Sequence, residues 1–72
     1  MKTKNYSKFV FSKENREIKT KTVLAIKESM TRFGFITGRP VLITKEWLIV
    51  DGQHRFLAAK DLGIEVEFEI LE

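Results

Sequence analysis

The chain has 72 residues, 43% hydrophobic and 32% charged, with a net charge of +3 and no cysteine. Those figures confine it to one small domain over residues 1–72, with no room for a second core. They exclude disulfides, zinc-thiolate sites and all thiol chemistry, and no apolar run approaches the roughly 20 residues of a membrane span. The charged start, Met1 to Lys8, is not followed by an apolar h-region, so a cytoplasmic protein is expected. Charge is unevenly spread. Up to Lys45 there are eleven basic residues against three acidic, and from Glu46 on two against seven. A basic half suits a phosphate-bearing partner, and it equally suits a solvated face that keeps the domain dispersed.

Lys8-Phe9-Val10-Phe11 is short, aromatic and β-branched and predicts a first strand, followed by a polar loop from Ser12 to Arg16. Val23, Ile26, Met30 and Phe33 then recur at spacings of three and four, which predicts a helix over 20–33 with Thr20 or Thr22 as N-cap and Gly34 as C-cap. Lys27, Glu28 and Arg32 fall mainly on its wet side. Phe35 to Arg39, with Gly38, is a connection. Pro40 leads into two dense β-formers, Val41 to Thr44 and Trp47 to Val50, separated by Lys45-Glu46 at hairpin spacing. Lys-Glu is a poor two-residue turn, so the register of that hairpin is open. Gln53 to Leu62 resumes a helical pattern and stops at Gly63, and Glu65 to Ile70 alternates acid with apolar as a strand with one wet face.

The predicted fold is α+β in the order β-α-β-β-α-β, with a mixed sheet and two helices. Its core is expected from the inward phase of each element: Phe9 and Phe11; Val23, Ile26, Met30 and Phe33; Val41 and Ile43; Leu48 and Val50; Phe56, Ala59 and Leu62; Val66, Phe68 and Ile70.

Gly52 stands apart from the other glycines because it joins a strand to a helix inside Asp51-Gly52-Gln53-His54-Arg55. Glycine lets backbone approach a ligand closely, and the free N–H groups of a helix start favour anions. His54 and Arg55 add donors there. Cations in a first turn are mildly unfavourable, so their placement asks for a compensating anion. The alternative is that Asp51 caps the helix and Arg55 pairs with it or points to water.

The run from Asp51 to Ile64, together with Asn15-Arg16, Phe33-Gly34-Phe35 and Pro40-Val41-Leu42-Ile43 in the same order, resembles the ParB/sulfiredoxin superfamily, with its ParB-like nuclease domains. The resemblance implies a ParB/sulfiredoxin-like fold that holds nucleotide phosphates at the start of the second helix. Carried over, Gly52, Gln53, His54 and Arg55 form the phosphate cradle, Phe35 and Ile36 line the nucleotide side, and Arg16 reaches in from the polar loop. The implied cofactor is a nucleoside triphosphate, CTP or ATP, with Mg2+. Two positions depart from the partition proteins, which have glutamate at Gln53 and arginine at His54. Sulfiredoxins carry their reactive cysteine at the position of Gln53, so that reductase activity is excluded here.

The expected function is nucleotide or phosphate binding in DNA-associated regulation or segregation. An enzyme is the alternative, a nuclease or a nucleotide-dependent phosphotransferase, with Asp51 and His54 as candidate catalytic groups; a ligand-free interaction domain is a third. Expected partners are a nucleotide or other phosphate ligand, DNA only weakly and without sequence specificity, a second copy as homodimer, and no membrane. The sequence shows no helix-turn-helix region, so sequence-specific DNA binding is not expected of these 72 residues.

Overall fold

Both helices end where a glycine dictates, and the second also starts at one. In the computed structural model, which describes residues 1–11, 18–35 and 39–71, helix α1 spans Thr20–Phe33 and helix α2 spans Gln53–Leu62. The Gly34 N–H closes α1 by donating to the Met30 carbonyl at 2.7 Å. Gly63 closes α2 in left-handed backbone (φ 70°, ψ 25°): its N–H donates to Lys60 and that of Ile64 to Ala59, the paired bonds of a Schellman motif. Neither helix has a side-chain N-cap. Lys19, and not Thr20 or Thr22, stands at the cap of α1, and its N–H is taken by a side chain from α2, described below.

Five strands form one mixed sheet: β1 (Lys2–Thr3), β2 (Val10–Phe11), β3 (Val41–Ile43), β4 (Leu48–Asp51) and β5 (Val66–Ile70). Their order across the sheet is β1-β5-β3-β4-β2. β3 runs parallel to β5 and β2 parallel to β4, while the β3–β4 hairpin and the β1–β5 pair are antiparallel. The chain therefore follows the predicted β-α-β-β-α-β order, with β1 added at the front. Lys2-Thr3 has no strand signature; backbone holds it, the Met1 ammonium donating to the Phe68 carbonyl and the Phe68 N–H to that of Met1. Lys8 is not in the first strand. It ends a 3-10 turn over Tyr6–Lys8, anchored by the Tyr6 hydroxyl donating to the Ile64 carbonyl at 2.6 Å.

The hairpin turn is longer than Lys45-Glu46. Thr44 and Leu48 close a three-residue loop, the Thr44 hydroxyl accepting from the N–H groups of Glu46 and Leu48. Trp47 takes the left-handed conformation such loops need at their third residue (φ 67°). Its ring is held edge-on against Phe9 and tilted against Phe68, at 5.1 and 4.9 Å between centroids.

One face of the sheet carries the core. Val41, Ile43, Ile49 and Val66 are fully buried, joined by Phe9, Phe68, the α2 residues Phe56, Ala58 and Ala59, and Val23 and Met30 of α1. Four core expectations fail. Phe33 is 78% exposed, Phe11 sits partly exposed against Phe56 at the sheet edge, and in β4 the buried residue is Ile49, while Val50 is exposed and Leu48 is half-buried outside the core. A register shift in the β3–β4 ladder, where Ile43 faces Ile49 but Leu42 faces Asp51, makes Val50 an extra residue in a bulge. Ile26, Leu62 and Ile70 pack only partly buried against the core. Lys27 does not lie wholly on the wet side, since it pairs with Asp61 of α2 at 3.7 Å. No helix among the described residues is long and apolar enough to cross a membrane.

Candidate functional site

The strand-to-helix junction is built around Gly52. Its φ of 94° is accessible to glycine and strained for any other residue, and it ends β4 so that α2 can start at Gln53. The position is also crowded. A Cβ there would lie 3.1 Å from Nη2 of Arg55 and 3.2 Å from the Cα of Val41. Glycine is needed for the Arg55 guanidinium to lie against the backbone of the junction.

Arg55 is weakly engaged for a side chain only 24% exposed. Its Nη2 makes a 3.5 Å hydrogen bond to the Pro40 carbonyl and stands 3.9 Å from the exposed Asp51 carboxylate. Its Nε is buried with no hydrogen-bond partner. A buried donor left unpaired costs about 1–3 kcal/mol, and more when it carries charge. The first turn of α2 contains no acid and no side chain caps its N–H groups. Positive potential from the helix start and from Arg55 is thus left without a local counter-charge beyond Asp51.

Arg55 lines a cleft of about 140 Å³ together with Arg39, with Ser29, and with Ile26 and Met30 of α1. Two guanidinium groups and a hydroxyl over an apolar floor can hold a small oxyanion by charge-assisted, bidentate hydrogen bonds. Sequence reading missed Arg39, Ser29 and the apolar floor. Arg39 precedes Pro40, whose carbonyl receives the Arg55 bond, but that adjacency becomes visible only when α2 is folded against β3.

The other expected site residues divide. His54 points across to α1, where its Nε2 accepts the Lys19 N–H at 3.1 Å. That bond requires Nε2 to be unprotonated. Gln53 is the buried polar residue among those described, at 8% exposure. Phe35 packs partly buried against the core cluster and does not line the Arg39–Arg55 cleft. Arg16 and Ile36 lie outside the described residues, as does Gly38.

The cleft fits phosphate oxygens better than a metal ion. Its charged lining is cationic, and among the described residues no group of three or more histidines, cysteines, aspartates or glutamates is placed to hold a cation. Asp51 is the carboxylate at the junction, and it faces Arg55. Comparison with known proteins finds no matching family model, no matching curated protein and no matching solved structure.

Proposed function

We propose that the domain binds the phosphoryl end of a nucleotide in the cleft between α1 and the first turn of α2, as a ParB-like module in DNA-associated regulation or segregation within the cytoplasm. The observation that carries this reading is the buried, unpartnered Nε of Arg55 at a cleft that Arg39 also lines. An oxyanion there supplies the two guanidinium-bearing side chains that line the cleft with a counter-charge that Asp51, 3.9 Å from Arg55, gives only weakly. At about 140 Å³ the cleft is smaller than the roughly 300–1,000 Å³ of whole-ligand pockets, so it takes phosphates and leaves the nucleoside at its mouth. The resemblance of Asp51–Arg55 to the partition proteins favours CTP or ATP as that nucleotide, with Mg2+ carried on the phosphates.

DNA contact by this domain is weak and non-specific in this reading, resting on exposed basic side chains of α1 such as Lys21 and Arg32 and on Lys19 at its cap. A nuclease reading has less behind it, since a metal route needs converging carboxylates and, among the described residues, no group of three or more acids or histidines is placed to hold a metal. A thermal-shift screen against CTP, ATP, GTP and their diphosphates, with and without magnesium, tests the proposal. At least one nucleotide is expected to raise the melting temperature, because a ligand bound to the folded state alone stabilises it. A flat response across the set defeats the proposal.

A further inference from the structure

The sheet has a second face, opposite the helices, and its two halves are written in different chemistry. Register and strand alternation place Glu67 and Glu69 of β5 on that face, with Lys2 beside Glu67. The same rules place Leu42 on it, next to Glu69, and Leu48 and Val10, which are direct partners in the β2–β4 ladder. β5 therefore shows what this sheet does where water covers it: every outward position is an acid. β3, β4 and β2 carry Leu42, Leu48 and Val10 on this face, with Asp51 of β4 as the acid directly beside Leu42, and Val10 is 49% exposed. Val50, the bulge residue, is equally exposed beside them. Three neighbouring strands whose outward residues are aliphatic but for Asp51 mark an apolar strip.

Size and charge decide what covers it. Three strands span about 14 Å, and the strip runs about 10 Å along them. That is far below the ~800 Å² each partner contributes to a standard stable interface, so the strip does not suit a second copy of the whole domain. It matches one α-helix, about 10 Å in diameter. Glu67 and Glu69 border the strip along one side, so a helix seated there meets carboxylates on the flank toward β5. We infer that the Val10–Leu42–Leu48 strip docks a single amphipathic helix of another polypeptide, apolar on the face it buries and lysine- or arginine-bearing on the flank that faces Glu67 and Glu69. This surface is on the opposite side of the sheet from the Arg55 cleft and stands independently of the phosphate reading.

The test uses two synthetic helical peptides of about 14 residues. They share leucines at i, i+3 and i+7 and differ only in carrying lysines or glutamates on the flank. Titrated into the isotope-labelled chain, the lysine peptide is expected to shift the amide signals of Val10, Leu42, Leu48 and Glu69. The glutamate peptide is expected to bind about fivefold more weakly. Glu69→Lys should erase or reverse that preference, and Val10→Gln should weaken both peptides while thermal unfolding confirms the fold. Sedimentation of the chain alone is expected to show no association through this face. The inference is overturned if neither peptide perturbs the strip, if both flanks bind alike, or if the chain dimerises through Val10 and Leu48.

Discussion

The backbone N–H of Lys19 and the Nε2 of His54 meet at 3.1 Å, joining the start of α1 to the first turn of α2 across 35 positions of sequence. The bond supplies what neither Thr20 nor Thr22 provides, an acceptor for a free donor at the head of α1. His54 is thereby turned toward α1 by its own ring nitrogen. Truncating it, His54→Ala, is expected to cost about 0.5–1.5 kcal/mol of stability and to speed hydrogen exchange at the Lys19 amide. Unchanged exchange at that amide would show that the bond does not hold α1 in solution.

Gly52→Ala is expected to be more damaging. The substitution forces a positive φ on an L side chain and drives its Cβ to 3.2 Å from the Val41 Cα, which is backbone in a central strand and cannot rotate away. Strain of about 1–3 kcal/mol is expected from the conformation alone, with the contact adding to it. Urea unfolding measures it, and a variant as stable as the parent would mean that the junction relaxes freely.

The phase of β4 gives a sharp pair. Ile49→Ala is expected to cost about 2–5 kcal/mol, because its side chain is fully buried between β3 and β2. Val50→Ala and Phe33→Ser, both at exposed positions, should each change stability by no more than about 0.5 kcal/mol. Equal losses at Ile49 and Val50 would contradict the bulge.

Phe56 ties the core to the helix that carries the site. Its ring lies 4.7 Å from Phe9, 5.8 Å from Phe11 and 6.4 Å from Tyr6 between centroids. Phe56→Ala is expected to cost about 3–5 kcal/mol, enough to unfold a domain of this size at room temperature. Circular dichroism showing a cooperative, near-parental melt would remove Phe56 from the core.

Much of this fold was legible because its signals are local. Gly34 and Gly63 end their helices as read, and the acid–apolar alternation of β5 gives its buried Val66 and Phe68 directly. The failures arise where local pattern is silent. Leu48-Ile49-Val50 is apolar at every position, so a period of two cannot choose which residue faces inward. Phe33 continues the stripe of α1 but outruns its cover: Lys19 meets His54 and Lys27 meets Asp61, so the helices advance together, and α2 stops one residue after Asp61. The site was half legible. Asp51-Gly52 and Arg55 stood out as a conflict of cation with helix start, whereas Arg39 and Ser29 join Arg55 only through the packing of α1 and the β3 approach.

The central claim is that Arg55 holds an oxyanion, and calorimetric titration of the parent chain beside Arg55→Ala and Arg39→Ala, with CTP, ATP and inorganic pyrophosphate, tests it most directly. The account predicts that the parent binds at least one of these ligands. Arg55→Ala should bind it at least about tenfold more weakly, the ~1.5–3 kcal/mol of a charged hydrogen bond, with Arg39→Ala weakened in the same direction and both variants folded. Parental affinity in a folded Arg55→Ala would contradict it.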